Sequence, residues 1–296
     1  MIITAVIPIH NGLPNIIDCI NSLKLQRCDD FDLRIIVVDD GSTDNSSDEI
    51  CKGFRGIEII TGNGNLWWTG AIAAGSRKAL DDGADYVFWI NHDDILETTA
   101  LKNLLEFSEG HRNVISACGV SYNNTSERIL CGYSLHYLKW YAKPQIIQLS
   151  NFLLPSFVLR CDLNGGHGIL IPKSLFAQDK AIIRPNIFPH YFGDFDFYFQ
   201  ARKLGYYPYI VGNALVYNDP TTCGLLGSHR VQNIKQTFPY LFSRRSMNNL
   251  RDRPLMALLD FPHGLNLIWA LLFVLAPLYC AVFYSFRKRS DFTPVI

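Results

Sequence analysis

The sequence predicts a mixed α/β domain with a mostly parallel central sheet flanked by helices, followed by an apolar helical tail. Runs of β-branched and apolar residues alternate with helically spaced segments between residues 2 and 90. A parallel sheet with helices on both faces requires that alternation. The carboxyl end of each strand-like run is polar: His10-Asn11, Asp39-Asp40, Asn63-Gly64-Asn65 and Asn91-His92-Asp93-Asp94. In parallel α/β sheets that edge is where ligands bind.

In chain order, Ile2 to Ile9 is a continuous apolar strand closed by Asn11 and Gly12. Pro14 to Leu25 has helical spacing, with Ile16, Ile17, Ile20 and Leu23 on one side. Leu33 to Val38 is a second strand, and Ser42 to Cys51 a helix with Ser, Thr and Asp near its start. Ile57 to Ile60 gives a third strand, Thr69 to Leu80 a helix, and Tyr86 to Ile90 a fourth strand that runs into "NHDD". After about Val114, short strand-like runs ("NVISACGVSY", "ERILCGYSL", "GILIP") are separated by longer loops. An acidic, helix-like segment follows, "GDFDFYFQARKLGY".

The 296 residues, 48% of them hydrophobic, suffice for one large domain with an appendage. The 27 basic and 27 acidic side chains balance, so no net field draws a nucleic acid or an acidic partner. Eight cysteines lie scattered, without CxxC or zinc-type spacing, which predicts buried or free thiols in a reducing compartment. No basic stretch precedes the first strand, so no secretory signal is expected.

Asp39 and Asp40 lie between a strand and a Gly-Ser-Thr-Asp turn, and turn or capping chemistry accounts for such acids individually. By the same logic Asp94 caps a helix beginning near Leu96. Two acidic clusters at the ends of separate strands, however, face one crevice. Their mutual repulsion favours a hard divalent cation with oxygen ligands. A phosphorylation-switched receiver domain also carries adjacent acids, but after its first strand; here they follow the second.

The stretches "AVIPIHNG", "IIVVDDGSTDNS", "GNLWWTGA", "FWINHDDIL" and "GDFDFYFQARKLGY" occur in that order and cover most of residues 1–219. In them the chain resembles the family 2 glycosyltransferases, whose nucleotide-binding fold is called GT-A. The resemblance implies that Asp39 accepts from the ring N–H of uracil or thymine, with Asp40 beside it and Pro8, His10 and Asn11 along base and ribose. It implies that Asn65, Trp68 and Gly70 belong to a Gly-rich loop that approaches the sugar diphosphate. Asn91 then faces ribose or metal, and Asp93 binds Mg²⁺ or Mn²⁺. Asp94 is the second choice for the metal, and Asn218 stands where many relatives carry a metal-binding His. Asp194 aligns with the catalytic base and Asp196 with its supporting acid. Gly193 replaces the usual Glu, and Ala73 a common Asn. His167, after Gly165-Gly166, reads as a structural histidine or an acceptor-site residue.

What this resemblance implies is a metal-dependent inverting glycosyltransferase. It would move a sugar, rhamnose in the most similar subgroup, from a UDP- or dTDP-sugar to a glycan hydroxyl. The alternative is an inactive GT-A scaffold, which Gly193, Ala73 and Asn218 favour. Residues 1–219 form the expected catalytic domain (1–113 nucleotide-binding, 114–219 acceptor half), and 220–296 a membrane-proximal helical region. Within that region Leu265 to Phe286 is uncharged and followed by Arg287-Lys288-Arg289. Its length passes the transmembrane threshold of roughly 18–20 residues. A single span with its basic end inside would put the catalytic domain outside. A re-entrant or interfacial helix, or a hairpin including Leu255 to Leu259, avoids this. Arg244, Arg245, Arg251 and Arg253 suit anionic headgroups. These features point to a peripheral or monotopic protein on the cytoplasmic face of the inner membrane. Its lipid-linked acceptor would belong to bacterial surface polysaccharide such as O-antigen. A buried packing helix or homodimer contact is the other reading of the tail.

Overall fold

The computed structural model describes residues 1–26, 30–122, 129–135, 144–149, 157–218, 239, 241–246, 249–261 and 264–283. The chain divides into two compact units, Met1–Thr222 and Cys223–Ile296.

Among the described residues the first unit is built on a sheet of eleven strands. Strand β1 (Ile2–Ile9) is buried along nearly its whole length, as its unbroken apolar run requires. It pairs in parallel with β2 (Asp32–Asp39) on one side and β4 (Tyr86–Trp89) on the other. β3 (Ile57–Thr61) adds in parallel to β2. Register aligns Ile9 with Asp39 and Asp39 with Thr61, so these strands deliver their polar exits to one edge. Helices α1 (Asn15–Lys24), α2 (Ser46–Gly53) and α3 (Trp67–Asp81) make the connections. Gly75 lets α3 press on β1, since a Cβ there would overlap Val6. The core includes Ile3, Ile7, Ile20, Leu23, Val37 and Phe88.

Beyond β4 the pairing turns mixed. β5 (Asp94–Leu96) is antiparallel to β11 (Tyr207–Asn218), and α4 (Ala100–Gly110) follows it. The expected helix capped by Asp94 therefore does not form: Asp94 opens a strand, and α4 starts only at Ala100. β6 (Val114–Tyr122) runs parallel to β11. β7 (Ile129–Leu135) and β8 (Pro144–Leu149) continue from β6, and β9 (Val158–Arg160) adds to β11. β10 (Ile169–Pro172) is antiparallel to β4, with Ile169 opposite Trp89. Its start therefore lies at the edge where β4 ends. Helices α5 (Lys173–Gln178) and α6 (Gly193–Lys203) separate β10 from β11.

In the second unit, α7 (Asp252–Asp260) packs on α8 (Asn266–Phe283). Phe273 is the centre of that contact. Phe261 and Trp269 lie 6.0 and 5.6 Å from its ring, and the Arg253 guanidinium sits 4.5 Å over it. Pro277 lies inside α8, where it removes one backbone donor. Among the described residues no helix is long and apolar enough to cross a membrane. Residues 284–286 of the apolar run from Leu265 to Phe286 lie outside the described residues.

Candidate active site

Asp39 and Asp40 are both buried at the exit of β2, and they hold different loops. Asp39 accepts from the Ser42 backbone N–H at 2.8 Å and from the Ser47 hydroxyl, fixing the turn into α2. Asp40 accepts from the Gly64 N–H and the Trp67 N–H, each at 2.8 Å. It thus supplies from outside the helix the acceptor that a capping residue would offer, and α3 begins at Trp67 rather than Thr69. Gly62 makes this approach feasible, because a Cβ there would lie 2.6 Å from Asp40 Oδ1.

The neighbouring candidates share this edge. Exposed His10 donates from Nδ1 to the Asp40 carbonyl at 2.8 Å. Asn11, at φ 59°, donates its N–H to Ser42 Oγ and accepts from the Thr43 N–H at 2.7 Å. Pro8 is buried within β1, and Asn65 is exposed in the Gly-rich loop. Gly70 is buried in α3, where a Cβ would come 3.3 Å from Leu66. It shapes the helix start by close packing.

The exit of β4 forms a connected polar network. Asp94 is 0% exposed. It accepts from His167 Nδ1 at 2.8 Å, from Asn218 Nδ2 at 2.8 Å and from the Asn91 N–H at 3.0 Å. Asn91 Oδ1 accepts from half-buried Trp68 Nε1 at 2.8 Å, and Asn91 Nδ2 lies 3.3 Å from His167 Nδ1. Asp93 stays half-buried beside this network. Burial opposes a charge on His167, but Asp94, reinforced by Asp93 and Asp194, raises its pKa to about 9.

The third wall is the start of α6. Phe192, at φ 68°, precedes it. Asp194 is half-buried in the first turn. Burial pushes its pKa up to about 6, against the Phe195 N–H at 2.9 Å and the His167 charge, which pull it down. Asp196 is 0% exposed. Arg184 grips it with both arms of its guanidinium, Nε at 2.8 Å and Nη2 on the other oxygen. Asp196 therefore anchors the loop before α6. Gly193 has a packing reason: a Cβ there would overlap the Thr69 hydroxyl and lie 3.0 Å from the Phe188 carbonyl. Neither Arg184 nor Thr69 carries a motif that sequence reading could have found.

A divalent cation fits this site only in part. Among the described residues no group of three or more His, Cys, Asp or Glu is placed to hold one. The Asp94 carboxylate is taken up by three protein donors, and the Asn218 amide donates to it. In this arrangement Asp94 and Asn218 are members of a hydrogen-bond network. Asp93 remains, and one carboxylate with substrate phosphates is a common holding for Mg²⁺.

The sequence profile of Glycosyl transferase family 2 matches residues 4–161, more than half of the chain. The chain belongs to that family. A 119-residue segment is 30% identical to the poly(ribitol-phosphate) beta-glucosyltransferase of Bacillus spizizenii, covering 39% of this chain and 18% of that protein. A 131-residue segment is 29% identical to the uncharacterized glycosyltransferase EpsJ of Bacillus subtilis, covering 43% of this chain and 36% of EpsJ. The family 2 chain thus spans well under half the length of these relatives. Its fold is similar to a crystal structure of GalNAc-T7 with UDP, GalNAc and Mn²⁺, at TM-score 0.59 and 13% identity, covering 73% of this chain and 43% of that one. It is also similar to Staphylococcus aureus TarS 1–349, at TM-score 0.50 and 15% identity, covering 95% and 81% respectively. The architecture of this family 2 member is accordingly GT-A.

Proposed function

We propose that this family 2 protein is an inverting glycosyltransferase that moves a sugar from a UDP- or dTDP-sugar to a glycan hydroxyl. Asp194 carries the reading. A half-buried carboxylate with a pKa near 6 is ionised at neutral pH yet more basic than an ordinary Asp, as a general base should be. It takes the acceptor hydroxyl proton as that oxygen bonds to the anomeric carbon. The bond from that carbon to the diphosphate breaks on the opposite face, its electron pair leaves with the nucleoside diphosphate, and the centre inverts. Asp39, with His10 and Asn11 on the same edge, reads the base. Mg²⁺ or Mn²⁺, held by Asp93 with the diphosphate oxygens, would offset the charge of the departing diphosphate. The Mn²⁺ and UDP in the GalNAc-T7 structure support this by analogy of fold alone.

Of the three residues that favour an inactive scaffold, Gly193 is accounted for by its packing on Thr69, which leaves Ala73 and Asn218. We favour rhamnose as the transferred sugar, since "GNLWWTGA" and "INHDD" resemble rhamnosyltransferases; a screen of UDP- and dTDP-hexoses decides this. Cation and nucleotide are tested together by thermal shift with UDP or dTDP, with and without Mn²⁺. Asp93→Ala should keep its melting temperature and lose the Mn²⁺-dependent part of the nucleotide shift. An unchanged shift assigns the cation to other residues.

The second unit suits a membrane surface. On α8, Leu267 (69%), Ile268 (55%), Leu271 (59%), Leu272 and Leu275 are exposed, while Ala270 and Phe273 are buried. Arg244, Arg245 and Arg251 of the same unit are exposed. An apolar face beside cations is the composition of an interfacial helix on anionic lipid. This would hold the enzyme at the cytoplasmic face of the membrane, near a lipid-linked acceptor. Ile268→Glu with Leu271→Glu should cut co-sedimentation with phosphatidylglycerol-containing vesicles at least about tenfold. Undiminished sedimentation would make this face a packing or homodimer contact.

A further inference from the structure

His167 is fixed from several sides, yet one of its nitrogens is uncommitted. Every hydrogen bond that the described residues give the ring uses Nδ1, which faces Asp94 at 2.8 and 3.1 Å and Asn91 at 3.3 Å. Nε2 has no protein partner among the described residues, and the side chain is 18% exposed. The loop that carries the ring is pinned. A Cβ on Gly166 would overlap the Trp68 indole, and Tyr198 donates its hydroxyl to the Gly165 carbonyl at 3.4 Å. A ring held this firmly with a free polar atom is built to meet something outside the protein.

Its neighbours say what that is. Asp93 and Asp194 both act electrostatically on the ring. In the proposed reaction Asp93 belongs to the leaving diphosphate and Asp194 to the incoming hydroxyl. In an inverting displacement these two lie on opposite sides of the anomeric carbon. A ring bonded to Asp94, the residue next to Asp93, and acted on by Asp194 stands on the side of the site that the sugar must pass.

We propose that His167 Nε2 hydrogen-bonds a hydroxyl of the transferred sugar and so helps to select the donor. This rests on the transferase reading above. A sugar hydroxyl both donates and accepts, so the contact holds for either charge state of the ring. Nδ1 bonded to Asp94 orients the ring, as a carboxylate orients a catalytic or ligating histidine elsewhere.

The test is His167→Asn, whose amide reaches Asp94 as Nδ1 did and leaves nothing where Nε2 stood. Wild type and variant are compared for affinity to UDP and dTDP alone, and for kcat/KM on UDP- and dTDP-hexoses and the deoxy forms of the best one. We expect nucleotide affinity within about threefold of wild type and kcat/KM for the intact donor lower by about ten- to a hundredfold, the scale of one lost hydrogen bond. One deoxy donor should be penalised by that same factor in wild type and not in the variant. An equal loss for UDP alone and for every deoxy donor would overturn the proposal and leave His167 acting only through Asp94. Normal turnover by the variant would overturn it as well. A wild type that binds neither nucleotide nor any nucleotide hexose overturns the transferase reading, and this inference with it.

Discussion

Asp194→Asn should slow transfer by about a hundredfold or more, the usual scale of general-base loss, while UDP and Mn²⁺ binding persist. Asn keeps the size of the side chain and can accept from the Phe195 N–H as Asp194 does, so the start of α6 survives. What disappears is the proton acceptor. In wild type, kcat/KM should rise with pH up to about 6, where Asp194 ionises, and then level; the variant should lack that limb. Stability gives an independent sign. The folded-state pKa lies above the ordinary 3.8, so folding binds the proton. The stabilisation this gives is complete below about pH 4 and lost as pH rises through about 6. Above that pH the Asn variant should be the more stable protein, by roughly 1–2 kcal/mol after allowance for partial exposure. A slower and more stable variant marks a catalytic base held charged against the cost of its burial. A slower and less stable one would mark a lost helix cap, and near-normal transfer would exclude Asp194 as the base.

Local period and turn chemistry made the first half of the fold legible. β1, β2 and β4 are buried runs whose length and polar exits are visible in the sequence. The division of labour between Asp39 and Asp40 was not visible, because Asp40 is committed by Gly64 and Trp67, more than twenty residues downstream. β5 was misread for a similar reason. "DIL" looks like a helix start, and its partner is β11, more than a hundred residues away. β11 itself is interrupted by a shift of register between Val211 and Leu215, which hides its period. One feature of α6 is legible in the sequence. Residues two apart on a helix point to roughly opposite faces, so Asp194 and Asp196 could not both face the same ligand. Their spacing already required one of them to turn inward.

The inward one sets the largest expected stability effect. Arg184→Ala should lower the unfolding free energy by about 3–5 kcal/mol, because it leaves a buried carboxylate without its counter-charge. Asp196 is 0% exposed, and among the described residues its remaining side-chain hydrogen bond is with Gln200 Nε2 at 3.4 Å, too long to replace a two-armed guanidinium. A loss of this size is a substantial part of the 5–15 kcal/mol typical of a domain, and denaturant titration would read it as a shifted midpoint. Arg184→Lys should recover only part, since an ammonium cannot span both oxygens. The decisive variant removes both charges. Arg184→Met with Asp196→Val stays close in volume and leaves no lone ion, and such replacements are often neutral. It should restore most of the stability, and with Asp194 untouched it should keep transfer within about tenfold of wild type. A double variant that is stable yet inactive would return Asp196 to the chemistry. An Arg184→Ala variant as stable as wild type would mean that the buried pair does not hold the loop before α6.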